Sequence, residues 1–195
     1  MKRKITKLGF TLIELLMVVA IIGILAGILI PVAGTVREKA NIAASKSQIS
    51  GYINAINMFK GEYNYLPFTD LLDENEQLDL SDDTNAKRFI ETLSARDVES
   101  YDKVPGEDGN RRQIEFISFS ETDYYLDQDT GDLETNKIAD RFNNRNIIFA
   151  IDADGDGLVT VEDPDDPSSE KELRSSITAF VRQNSSGAPA YYLYE

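Results

Sequence analysis

A chain of 195 residues has room for one compact domain plus an appendage, and 42% hydrophobic with 28% charged residues is the composition of a folded protein. Its formal net charge is −14 although Lys2, Arg3, Lys4 and Lys7 crowd one end, so the rest is acidic enough to repel a phosphate backbone and no direct nucleic-acid binding is expected. It contains neither Cys nor His, which excludes disulfides, thiolate or histidine zinc sites and every Ser-His or Cys-His nucleophile pair; no paired-carboxylate constellation stands out either, so no enzyme is expected.

From Phe10 to Val36 the only charged side chain is Glu14. That stretch exceeds the roughly 20 apolar residues a membrane-spanning helix needs, and the basic residues before it should hold its N-terminal end in the cytoplasm with the acidic body outside. In a secretory signal peptide the small-residue cleavage site follows a shorter apolar region, whereas here Gly9 precedes a long one. Burying Glu14 in hydrocarbon costs about 2.5–3.5 kcal/mol on insertion scales, so it needs a partner. A cut between Gly9 and Phe10 would create an α-amine, and the amine of a neighbouring copy can reach Glu14 where the chain's own cannot.

Gly9 followed by Phe-Thr-Leu-Ile-Glu resembles the class III signal of type IV pilins and type II secretion pseudopilins. The resemblance implies cleavage by a prepilin peptidase after Gly9, N-methylation of Phe10 and a role for Glu14 in recruiting each subunit to a filament. Pro31 falls where that family often carries a helix-kinking proline; physically, it removes one backbone donor and clashes with the preceding turn. Gly23 and Gly27 form a small-xxx-small pair common in membrane helices.

Beyond Pro31 the pattern turns amphipathic. Ile42, Ile49, Ile53 and Ile56, with Ala43 and Phe59, suit one helical face that stops near Gly61. The expected divisions are a leader at 1–9, a membrane half-helix at 10–34, an amphipathic half-helix at 35–62 and a globular α+β domain at 63–195. Tyr63 to Pro67 reads as a turn, Asp70 to Asp83 as an acidic loop, and Thr84-Asn85 as the cap of a short helix from Ala86 to about Leu93. Asp102 to Arg111 should be a loop. Five strands are predicted, at Gln113–Phe119, Asn146–Ile151, Leu158–Val161, Ile177–Val181 and Tyr191–Tyr194. The fold class is therefore α+β: a long N-terminal helix packed on a small antiparallel sheet, a pilin-like arrangement. Asp140-Arg-Phe-Asn-Asn loosely resembles the Asp-Pro-Trp-Gly-Asn motif of major pseudopilins, without its Pro, Trp and Gly.

The segment 152–163 begins like an EF-hand loop. Asp152, Asp154 and Asp156 alternate, Gly157 permits the sharp turn, Leu158 would offer its carbonyl, and Thr160 and Asp163 would complete a calcium shell, with Asp165 and Asp166 as nearby substitutes. The flanks look like strands, which suggests a calcium-stabilised hairpin; the plain alternative is an acidic β-turn. A second group, Asp127, Asp129 and Asp132, lacks the full spacing and reads as a solvated turn, while Tyr191, Tyr192 and Tyr194 read as ordinary strand residues.

The expected protein is a filament subunit stored in the bacterial inner membrane, single-pass, with an exported C-terminal domain. It would be a type II secretion pseudopilin or, alternatively, a type IV pilus pilin. Its partners would be other pilin-like subunits, the prepilin peptidase, an inner-membrane assembly platform and the lipid bilayer. A monomeric membrane-anchored calcium-binding module is the alternative of another class.

Overall fold

A computed structural model describes residues 10–103, 109–163 and 166–194. Gly9, the middle of the loop expected at Asp102 to Arg111, and Asp165 lie outside the described residues. The chain divides into two units, Met1–Ala40 and Asn41–Glu195. The elements in chain order are α1 (Leu12–Tyr63), β1 (Gln77–Asp79), α2 (Asp83–Ser94), a 3-10 turn (Glu121–Asp123), β2 (Tyr124–Leu126) and β3 (Leu133–Ile138). They are followed by β4 (Ile147–Ile151), β5 (Leu158–Asp163), β6 (Asp166–Arg174), β7 (Ile177–Val181) and β8 (Tyr191–Tyr192).

In the first unit, α1 leaves its apolar side chains uncovered: Phe10 is 74% exposed, Leu12 85% and Ile30 74%. Among the described residues no single helix qualifies as a membrane span by length and composition. Leu12–Ile28 and Ala33–Tyr63, bent by 41° across the break that contains Pro31, qualify as a pair.

In the second unit the same helix buries Ile49, Tyr52, Ala55, Ile56 and Phe59, a stripe at three- and four-residue spacing. Ile42 and Ile53, expected at the centre of that face, sit on its flank and are only partly buried. The helix runs past Gly61 and ends at Asn64, whose positive φ of 60° an asparagine tolerates while its amide still donates to the Lys60 carbonyl at 2.8 Å. Helix α2 starts slightly earlier than expected, because the carboxylate of Asp82 accepts from the amides of Thr84 and Asn85 at 2.9 and 3.0 Å. Phe89, Ile90 and Leu93 are buried, as their spacing predicts.

One antiparallel sheet, ordered β1-β4-β7-β8, forms the centre. Ile147, Phe149 and Ile151 of β4 and Ile177, Ala179 and Val181 of β7 share a core with α1 and α2. The intervening residues Ile148, Ala150 and Phe180 pack instead with Val159 and Val161 of the β5–β6 hairpin and with Tyr192. Both faces are covered, which is why β4 reads as an unbroken apolar run, and β7 as one interrupted only by Thr178, and not as alternating patterns.

The strand predicted at Gln113–Phe119 is absent. Its residues run irregularly, Phe116 donating its amide to the Leu93 carbonyl at 2.8 Å, while Phe116, Ile117 and Phe119 pack onto the core. Their apolar character serves packing and not a ladder. Conversely β1 lies inside the stretch expected to be a loop, and β2, β3 and β6 were not anticipated.

Candidate functional site

Two places in the chain hold the candidate functional residues. The first is the start of α1. The amide and hydroxyl of Thr11 donate to one Glu14 carboxylate oxygen at 2.8 and 2.7 Å, and the Glu14 amide returns a bond to the Thr11 hydroxyl at 3.3 Å. This reciprocal cap satisfies donors that the first helical turn would otherwise leave orphaned. Glu14 is exposed, and among the described residues no cation pairs with it. Phe10 stands just ahead of the helix with its ring exposed.

The second place is the acidic turn between β4 and β5. Asp152 is 8% exposed; one of its oxygens accepts the Gly155 amide at 2.8 Å and the other the Gly157 amide at 3.1 Å. Asp154 accepts from the Asp156 amide at 3.0 Å, and Asp156 from the Leu158 amide at 2.7 Å. Gly155 and Gly157 have φ of +82° and +84°, which a side chain would strain.

Carboxylate oxygens of Glu76, Asp152 and Asp154 lie within 4.8 Å of one another. Three hard oxygen donors suit a divalent cation of the calcium type, and carboxylates already accepting amides keep lone pairs for it. Glu76, absent from the expected ligand set, is delivered by β1: its carbonyl accepts the Ile151 amide at 3.0 Å, which seats it beside the start of the turn. The only sequence signal for it was its place in the acidic stretch after Asp70.

Of the carboxylates in the expected shell, Asp156 and Asp163 do not join the trio. Leu158 and Thr160 belong to β5, paired with Arg174 and Glu172, and the Thr160 carbonyl accepts from Gln77 Nε2 at 3.1 Å. Asp163 ends the same strand, about 16 Å of extended chain beyond Leu158, with Lys171 Nζ at 3.9 Å. A strand follows the turn where an EF-hand would begin a helix, and extended backbone carries Asp163 away from the centre. Asp156 is likewise outside the trio.

The other acidic and aromatic groups are structural. Asp127 accepts the amides of Asp129 and Thr130 at the tip of the β2–β3 hairpin. Tyr191 donates to Asp140 at 2.7 Å and Tyr192 to Glu162 at 3.0 Å, while Arg182 Nε holds the second Glu162 oxygen at 2.7 Å. Asp140 also accepts from the amides of Phe142 and Asn144, and the Arg141 amide donates to Ser45 of α1 at 3.1 Å. This loop therefore ties the helix to the last strand.

Residues 6–30 match the family described as "Prokaryotic N-terminal methylation motif". The chain is 39% identical over 62 residues to type II secretion system core protein G of Aeromonas hydrophila, covering 32% of this chain and 43% of that protein. The protein of the same name from Escherichia coli (strain K12) is 38% identical over 61 residues, covering 31% of this chain and 42% of its own. That from Vibrio cholerae is 37% identical over 70 residues, covering 36% and 48%. The match thus spans less than half the length of these relatives. No solved structure matches the chain. The chain thus carries the methylation motif near its start and, over about a third of its length, is similar to type II secretion system core protein G.

Proposed function

We propose that this chain is the structural subunit of a type II secretion pseudopilus, stored in the inner membrane, cut after Gly9, N-methylated on Phe10 and without catalytic activity of its own. One observation carries the reading: an apolar helix with uncovered side chains, interrupted by a single carboxylate, inside the segment that matches the methylation motif. The bilayer covers those side chains before assembly, and neighbouring helices cover them afterwards. Glu14 is pre-capped by Thr11 and waits for the α-amine of an incoming copy, whose charge removes most of the cost of keeping a carboxylate in hydrocarbon. Pro31 falls in the break between the two helix segments that qualify as a bent pair, where a missing backbone donor locally weakens the helix.

The test is the intact mass of protein purified from its native membrane. A mass matching residues 10–195 plus one methyl group is expected. An uncut chain from cells with an active prepilin peptidase would overturn the reading in favour of a membrane-anchored monomer.

Glu76, Asp152 and Asp154 hold calcium in this reading, with the turn's backbone carbonyls and water completing the shell. The ion would relieve repulsion among crowded carboxylates and stabilise the folded state by mass action. With calcium in hundredfold excess over its dissociation constant, the gain is about 2.7 kcal/mol. A chelator should therefore lower the melting temperature of the full chain in detergent, and Glu76→Gln should blunt that response. Melting indifferent to both would remove calcium from the account.

A further inference from the structure

The folded unit carries an exposed apolar finger and, formed by other residues, a groove of opposite charge. The finger is the β2–β3 hairpin. Leu126 and Leu133 face each other across the ladder, 46% and 37% exposed, and with Met58 they are the exposed large aliphatic side chains among the described residues of that unit. Such an exposed cross-strand pair marks an interaction surface when it sits on a defined scaffold. The scaffold here is rigid: the Asp127 amide donates to the Asp132 carbonyl, the Gly131 amide to the Asp127 carbonyl, and the Asp127 carboxylate accepts the Asp129 amide at 2.8 Å. Those amide bonds also hold Asp127 below the usual carboxylate range. The tip therefore presents the Asp127 charge beside the two leucines, with the Asp129 and Asp132 side chains next to it.

The groove, about 570 Å³, is lined chiefly by Ile53 of α1, Leu173 and Arg174 of β6, Ile177 of β7, and Leu193 and Tyr194 after β8. Arg174 is its one charged lining residue among the described residues, a positive spot on a chain of net charge −14.

We propose that the finger of one copy seats in the groove of the next, with Leu126 and Leu133 against Ile53, Leu173 and Leu193 and the tip aspartates facing Arg174. Copies of so acidic a chain repel one another, and a local reversal of charge selects where they approach. Finger and groove share no residues, so each copy can give its finger to one neighbour and receive a finger from another; the heterologous arrangement propagates, as a filament requires, where a reciprocal exchange would stop at a dimer and give no ladder in the test below. The inference rests on the filament reading and names the contact between its exported domains.

The chain lacks cysteine, so introduced thiols are unambiguous reporters. In the full-length protein, Gln128→Cys on the finger combined with Ser50→Cys at the groove should give a ladder of disulfide-linked multimers on mild oxidation of assembled material. Each single variant should stay monomeric. Arg174→Glu should lower the sedimentable filament by about tenfold, and adding Asp129→Lys should restore it, as expected for an exchanged charge pair. Normal filaments with no ladder and no effect of Arg174→Glu would overturn this interface alone, as would cross-linking of Gln128→Cys by itself, which would mean finger against finger. A wild-type chain that never assembles would overturn the filament reading and the interface together.

Discussion

The two ends of α1 obey different solvents. Around Phe10, Leu12 and Ile13, exposed by 74%, 85% and 71%, the apolar side chains are left uncovered, with Glu14 the lone charge among them. Around Ile49, Ile56 and Phe59, each 0% exposed, the helix has one apolar stripe, and a sheet and a second helix bury it. A helix that is hydrophobic all round needs an apolar surrounding, whereas an amphipathic one needs only a core. The first half therefore depends on lipid or on other copies for its burial. The second half is provided for within the chain, and this division makes it possible to damage one half and spare the other.

The largest separation should come from the core. Phe149 is fully buried and stacks on Phe89 with centroids 5.5 Å apart. Phe149→Ala should destabilise the folded unit by about 3–5 kcal/mol, read from denaturant unfolding of the full chain in detergent, and leave cleavage and methylation unchanged by mass. A variant that unfolds normally would mean that the sheet is not the core of that unit.

Glu14→Ala should do the reverse. Its melting and unfolding should match the wild type, because Glu14 touches only Thr11. Assembly should fall on the order of 100-fold, the equivalent of the roughly 2.5–3.5 kcal/mol that an unpaired carboxylate forfeits at membrane depth. Equal filament yield would break the comparison, since the first half of α1 would then carry no assembly determinant.

The same division explains what could be read from the sequence. The apolar stretch, its lone carboxylate and the motif over residues 6–30 are local features of the sequence, so they were legible without a fold. So were β4 and β7, whose apolar runs are long enough to mark buried strands. Strands that depend on a distant partner were not: β1 pairs Gln77 through Asp79 with Ala150 through Ile148, and its three residues carry no alternation of their own. The mixed polar sequence of β6 is set by Leu173 and Lys171 meeting Val159 and Val161 across the hairpin, a match made in register and not in composition. The acidic turn shows the limit most clearly. Its aspartates, its glycines and the strand that follows were visible, but Glu76 reaches it through sheet pairing, which no local pattern reveals, and the extended chain of that strand carries Asp163 away from the trio.

The smallest expected effect sharpens the account of the folded unit. Asp140 is 4% exposed, and burial pushes its carboxyl above the usual range in spite of bonds from the Tyr191 hydroxyl and the amides of Asn144 and Phe142. The folded state therefore binds this proton more tightly than the unfolded chain. The stability that protonated Asp140 contributes is complete below the unfolded value, about 3.9, and is lost as pH rises through the higher folded value. Asp70 works the other way: the hydrogen bonds from Arg88 hold it low, so its contribution fades on acidification. Asp140→Asn keeps an acceptor for the two amides and offers a donor to the Tyr191 oxygen, but it carries no charge to bury. Melting temperature followed against pH should show the variant gaining on the wild type as pH climbs above about 4, where the unfolded wild-type chain releases the Asp140 proton and the folded one still holds it. Parallel curves across that range would mean that Asp140 ionises in the fold without penalty, and the tie from the 140–144 loop to Tyr191 would then be an ordinary charge-assisted bond.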